Sequence, residues 1–391
     1  MNHVRGEVTA HSHGSLNRSG LLRLGLIVNP IAGIGGAVGL KGSDGAEIQR
    51  QALELGALPQ ALNRTVQALE RLVPARDDLA IVTYPGQMGE DAARACGFEP
   101  TVIGSIVPGQ TTPEDTRAAA REMRRLKVAL LLFAGGDGTA RDIYNAVGVG
   151  VPVLGIPAGV KIHSAVFATN PTSAGDLAWL YLQGRVASLK EAEVMDIDED
   201  AYRGGIVSAR LYGYLHVPFK TSLVQSLKTA SSPGEKSAMA GIAWQVIDGM
   251  EDDWLYILGP GTTTRAITSA LGLDKTLIGV DVLFRGQLLA TDVNESQLLE
   301  LLKGHKAKIV VAPIGGQGCI LGRGNQQLSP GVIRSVGLDN IVVVSTPAKI
   351  QALGGRPLWV DTGDRSLDQA LSGYARVITG YNEQVVYKVS C

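Results

Sequence analysis

The chain is short of aromatic residues, cysteine and net charge, and it lacks any long apolar run. Aromatic residues make up 5% of its 391 positions, a poor supply for the stacked platforms that hold single-stranded nucleic acids. Lysine and arginine (36) almost balance aspartate and glutamate (37), for a formal net charge of −1. Binding a nucleic-acid backbone needs concentrated positive charge, so nucleic acid is excluded as the main partner. A single nucleotide is not excluded, since a few amides and one lysine can hold it. Cys96, Cys319 and Cys391 are odd in number and widely spaced. They build neither a disulfide framework nor a zinc pair, which fits a reducing cytoplasm. No apolar run approaches the ~20 residues of a membrane helix, so no membrane partner is expected. Residues 1–20 carry His3, His11 and His13 among serines and glycines, without the apolar core of a signal peptide. They are expected to form a disordered tail.

What the chain has in quantity is glycine, 49 residues of it, against an average share of about 7%. The glycines cluster after apolar runs. Strands are expected at 21–28, 79–83, 101–103, 128–134 and 152–156, alternating with helical segments at 46–55, 59–72, 90–96 and 113–126. Buried strands alternating with helices are the pattern of a doubly wound α/β domain, here placed at 21–190. Such a sheet binds ligands at the carboxyl ends of its strands, where these glycine loops fall. Six acidic residues between Glu191 and Asp200 read as a solvated strand edge or a linker, or alternatively as a magnesium or ribose site. A second, mixed α/β domain is expected over 191–391, with strands at 206–217, 254–258, 277–284, 309–312, 341–345, 375–379 and 384–389.

Four loops carry candidate chemistry. Asn29-Pro30 opens the first, with Gly33, Gly35, Gly36 and Lys41 offering a backbone cradle and a cation for a polyphosphate. The second is Gly135-Gly136-Asp137-Gly138-Thr139, at the junction of a buried strand and a helix. There the Asp137 carboxylate is placed to meet a hydroxyl or a metal, or serves only as a helix N-cap. The third, Gly155-Ile-Pro157-Ala-Gly159, runs on to His163, either an acid/base or an ordinary loop histidine. The fourth, Gly259-Pro-Gly261-Thr262-Thr263-Thr264-Arg265, sets hydroxyls and amides at a helix start as a second anion site, unless Thr262 only caps the helix. Two further loops, 313–318 and 321–326, are expected on the facing wall of the cleft.

The Gly-Gly-Asp-Gly-Thr motif, with Asn29-Pro-x-x-Gly33 before it, resembles the superfamily of NAD kinases, diacylglycerol kinases, sphingosine kinases and phosphofructokinases. The order of the loops, with Val360-Asp361-Thr-Gly363-Asp and Ile378-Thr-Gly-Tyr, resembles the ATP-NAD-kinase-like branch that includes the X protein of acetoin-catabolism operons. That resemblance implies an NAD-kinase-type nucleotide-binding domain followed by a mixed α/β domain, in a homo-oligomer. It implies ATP or polyphosphate as donor, Mg²⁺, and the 2′-hydroxyl of NAD as the foremost acceptor. By the same resemblance Asp137 takes the acceptor's proton, and Gly136, Gly138 and Thr139 meet nucleotide phosphates. Gly261-Thr262-Thr263 partly matches the substrate loop Gly-Ser-Thr-Ala-Tyr. No set of metal ligands is identifiable. Pro157 stands where NAD kinases carry asparagine. Two alternatives follow: a kinase for another small hydroxyl metabolite, related to diols or acetoin, and a non-catalytic nucleotide sensor.

Overall fold

The computed structural model describes residues 8–9, 21–36, 38, 46–159, 162–197, 209–220, 233–276, 279–314 and 318–391. Its backbone divides into two compact units, one of residues 1–34 and 58–225, the other of residues 35–57 and 226–391. The strands of the first are β1 (Val8–Thr9), β2 (Leu22–Val28), β3 (Leu79–Thr83), β4 (Thr101–Val102), β5 (Leu130–Gly135), β6 (Val153–Pro157), β7 (Ser188–Ile197) and β8 (Ala209–Pro218). The helices from residue 46 to 182 are α1 (Ala46–Glu54), α2 (Ala61–Leu69), α3 (Glu90–Ala95), α4 (Pro113–Arg125), α5 (Asp137–Val147) and α6 (Pro171–Leu182).

Continuous apolar runs make a sheet buried on both faces. Every residue of β5 is buried, as are Leu24 to Val28 of β2. Five strands pair in parallel in the order β4-β3-β2-β5-β6. The chain builds outward from β2 to β4 on one side and from β5 to β6 on the other. The order therefore reverses between β2 and β5, and their carboxyl ends open the crevice where such sheets take ligands. Phe133 sits fully buried in β5, edge-to-face with Phe167 at 5.3 Å between ring centres. Phe133→Ala is expected to cost about 3–5 kcal/mol through lost burial and a residual cavity, read as a lower denaturation midpoint in urea.

Helix starts follow their capping chemistry. Thr112 and Asp115 form a reciprocal box ahead of α4, with Asp115 Oδ2 accepting the Thr112 N–H at 2.7 Å and Pro113 in the first turn. Asn170 caps α6, accepting from the Ser173 N–H at 2.7 Å.

Two expectations need correction, and one left open is decided. Val8–Thr9 pairs antiparallel with Leu189 and Ser188, so the tail contributes a short strand; the remainder of 1–20 lies outside the described residues. Of the strand-edge and linker readings of the acidic segment, residues 191–197 take the strand, while 198–200 lie outside the described residues. The former belong to β7, paired antiparallel with β8 from Leu189↔Pro218 to Ile197↔Ala209. Alternation explains this: Ala192 and Val194 are buried while Glu191 is exposed. Asp196, also inward, meets Arg141 of α5 at 2.7 Å. The boundary expected at 190 consequently falls within the hairpin, and the first unit runs on to 225, while residues 35–57 group with the second.

The second unit contains β9 (Trp254–Leu258), β10 (Asp281–Phe284), β11 (Gln287–Ala290), β12 (Lys306–Val311), β13 (Cys319–Leu321), β14 (Ile341–Val344), β15 (Leu358–Val360), β16 (Gly373–Gly380) and β17 (Glu383–Ser390). They form a mixed sheet ordered β11-β10-β9-β12-β14-β16-β17-β15-β13, with β9, β12, β14 and β16 parallel at its centre. Helix α7 (Pro233–Asp248), α8 (Thr262–Ala270), α9 (Glu295–Leu301), α10 (Pro330–Val336), α11 (Pro347–Ala352) and α12 (Arg365–Leu371) complete it. Among the described residues no helix is long and apolar enough to cross a membrane.

Candidate active site

Three of the glycine loops meet at the crevice between β2 and β5. Asn29 leaves β2 with its N–H on the Ala134 carbonyl at 2.9 Å. Its side chain works both ways: Nδ2 donates to Thr139 Oγ1 at 3.0 Å, and Oδ1 accepts the Ile31 N–H at 3.3 Å. The first loop is thereby tied to the second. Residues 31–36 continue as a turn with Ala32 and Ile34 buried, so this half of the loop has a fixed course. Gly33 is required there, because its φ is +76° and a Cβ would stand 2.1 Å from the Ala158 carbonyl oxygen. Gly35 is buried beside it, and Gly36 lies against the Gln326 side chain. Lys41 lies outside the described residues.

Gly135 ends β5, its Cα against the Thr139 side chain, and Gly136 is the N-cap of α5 in extended conformation. Asp137 is therefore the first helical residue, not the cap. The early amides of α5, from Asp137 through Gly138 to Thr139, have no intrahelical partner and concentrate positive potential. The Asp137 carboxylate is nearly buried and turns back to hold the third loop. Oδ2 accepts the His163 N–H at 2.7 Å, and Oδ1 accepts the Ser164 N–H at 3.0 Å. The His163 ring follows, with Nδ1 at 3.3 Å from Oδ2. Ser164 then links onward, its hydroxyl donating to the Met195 carbonyl at 2.8 Å and accepting the Met195 N–H at 3.0 Å. At the loop's start, the Ala158 and Gly159 amides both donate to the Gly135 carbonyl at 3.0 Å. Gly159 and Gly136 touch backbone to backbone, so that a Cβ on Gly159 would stand 2.8 Å from the Gly136 Cα. The Pro157 carbonyl accepts from the buried Arg64 at 3.4 Å.

In the second unit, Gly261 is the N-cap of α8, and Thr262 is its exposed first residue. The simple capping role is thus taken by a glycine without a side chain. Thr263 and Thr264 are buried and committed. Thr263 Oγ1 accepts from Lys349 Nζ at 2.8 Å, while the Thr264 hydroxyl donates to the Gly259 carbonyl at 2.6 Å. Lys349 escaped the sequence reading; Thr346-Pro347, which caps and opens α11, was the available signal. Among the described residues no group of three or more His, Cys, Asp or Glu side chains is placed to hold a metal.

The described geometry is an anion-receptive crevice with a carboxylate–imidazole pair at its edge. Residues 24–186 match the family model of the ATP-NAD kinase N-terminal domain, and residues 251–389 that of the ATP-NAD kinase C-terminal domain. No curated protein matches the chain. A solved structure provisionally described as a diacylglycerol kinase from Bacillus anthracis str. Sterne shares 17% identity over 45% of this chain, with a TM-score of 0.25. A second structure under that description from the same strain shares 18%, also over 45% and at 0.25. The chain spans less than half the length of both, 43% and 45%. A UDP-N-acetylglucosamine 2-epimerase structure aligns over 87% of this chain and 78% of its own at 9% identity and a TM-score of 0.23. Overlaps this loose carry no functional weight. The two family domains, each found in its place along the chain, support a kinase-type phosphotransferase, and the chain belongs to the ATP-NAD kinase family.

Proposed function

We propose that the protein transfers the γ-phosphoryl group of ATP to a hydroxyl group, foremost the 2′-hydroxyl of NAD. The observation that carries this reading is the convergence of the Asn29, Gly135–Thr139 and Pro157–Ser164 loops at the switch point of a parallel sheet. Phosphoryl transfer asks a protein chiefly for positioning and charge stabilisation. The early amides of α5 supply donors for phosphate oxygens. The pair Asp137–His163 supplies a place for the acceptor's proton. A cavity of about 410 Å³ lined by Pro85, Gly86, Asp91, Gly104 and Ser105 opens at the carboxyl ends of β3 and β4, and its size suits part of a nucleotide. Mg²⁺ would ride on the donor's phosphates and water, as magnesium commonly does.

A second reading, transfer to a smaller or more apolar hydroxyl compound, is favoured by Pro157. At this position the backbone carbonyl is engaged by Arg64 and no side-chain amide is offered to a ribose. Incubating the protein with ATP, Mg²⁺ and NAD, NADH or a panel of alcohols separates the readings. NADP formation is expected. ATP binding without phosphorylation of NAD or NADH moves the assignment to another hydroxyl. Binding with no transfer to any acceptor leaves a nucleotide sensor.

Changing Thr262 and Thr263 together to valine is expected to raise the Michaelis constant for NAD and leave that for ATP unchanged. Thr262→Val alone separates the exposed hydroxyl from the one held by Lys349. Equal effects on both substrates would place this loop outside acceptor binding.

A further inference from the structure

We propose that the proton released by the acceptor hydroxyl goes to Nε2 of His163, with Asp137 as the positioning group behind the imidazole. This rests on the phosphotransferase reading and assigns the proton within it. An ionised carboxylate only accepts hydrogen bonds. Asp137 already accepts one backbone N–H on each oxygen, from His163 on Oδ2 and from Ser164 on Oδ1. The imidazole Nδ1 faces that same Oδ2 at 3.3 Å. Next to an acceptor, a neutral ring places its N–H at Nδ1 and keeps its lone pair on Nε2. The ring is further fixed because its own backbone amide is bound to the oxygen that its side chain faces. Exposure points the same way: the imidazole side chain retains 13% accessibility against 6% for the carboxylate.

The step balances. The hydroxyl oxygen forms a bond to the γ-phosphorus of a nucleoside triphosphate, and the bond from that phosphorus to the bridging oxygen breaks. The nucleoside diphosphate leaves with the electron pair. The hydroxyl proton moves to Nε2, and the resulting imidazolium lies against the Asp137 carboxylate. Asp137 need not take up the proton at all.

The test uses the whole chain and three measurements. His163→Gln is expected to lower kcat by about 10²–10⁴-fold, the usual contribution of a proton-transfer group. It should leave the Michaelis constant for ATP unchanged and abolish the acid limb of the kcat/KM profile. Wild-type turnover with the acid limb retained would overturn the assignment and return the proton to Asp137, while the phosphotransferase reading stands. Nitrogen-15 NMR of the wild-type histidines reads the dyad without any turnover. A signal from Nδ1–H at His163, lost in Asp137→Asn, supports the arrangement; an Nε2–H tautomer overturns it. If no hydroxyl is phosphorylated by the wild-type protein, the phosphotransferase reading fails, and the tautomer still decides the pair.

Discussion

Asp137→Asn is expected to lower turnover by about 10²–10⁴-fold and, unlike most isosteric changes, to lower the melting temperature as well. Both carboxylate oxygens accept backbone N–H groups of the 163–164 segment. A carboxamide presents an NH₂ to one of these donors, so one acceptor is replaced by a donor facing a donor. An unmade bond at a buried group costs about 1–3 kcal/mol. The imidazole loses its charged neighbour in the same change. Purified variant protein should be assayed for turnover and for thermal unfolding together. A lower melting temperature with wild-type turnover would make Asp137 a clasp for the loop and nothing more.

Asp281→Ala is expected to destabilise the protein by about 3–5 kcal/mol, because removing one partner strands a buried charge. Lys275 and Asp281 have fully buried side chains 3.8 Å apart between Nζ and Oδ2. The carboxylate also accepts from the Thr276 amide at 2.8 Å, the Thr276 hydroxyl at 2.7 Å and the Asp292 amide at 2.7 Å. Lys275 donates to the carbonyls of Thr276 at 2.9 Å and Gly279 at 3.0 Å. Burial pushes the Lys275 ammonium down to about 8, against the attraction of Asp281 and Asp292 and with the help of Arg265. Between about 8 and the ordinary 10.5 the unfolded chain holds a proton that the folded chain has released. Stability then rises with pH across that window from this group. Lys275→Met should lack the rise. Thermal melts from pH 7.5 to 10.5, spanning that window, check both variants; a parallel pH dependence in wild type and Lys275→Met would show that Lys275 does not cause the rise.

The fold was legible wherever one signal dominated. β3 and β9 occupy the expected spans because their apolar runs are bounded by polar and turn residues. Helix α4 starts at its expected proline. Elements were missed where two signals mixed. The charges of β7 left it open between a strand edge and a linker, and α6 was passed over although Asn170-Pro171 marks its start. Strands β13 and β15, three residues each, are too short for periodicity to register. At the candidate site, the structure places Asn29 and Asp137 just beyond the carboxyl ends of β2 and β5, where motif and strand end coincide. The sequence did not foresee that Thr264 and Thr263 are committed to Gly259 and Lys349, because those bonds join residues distant in sequence or wrapped into one turn. Nor did it foresee that the His163 ring stands 3.3 Å from the Asp137 carboxylate.

Gly136 and Gly159 touch through their backbones, and neither leaves room for a methyl group on Gly159 without displacing the other loop. The two positions therefore behave as one heritable unit. In a randomised library spanning 135–139 and 157–164, survivors selected only for folding should keep glycine at 159, even with no selection for catalysis. Descendants of this protein that abandoned their chemistry would retain the same signature. Its persistence in an inactive lineage would record the docking of two loops, so evolutionary retention of these glycines is not by itself a record of enzymatic activity.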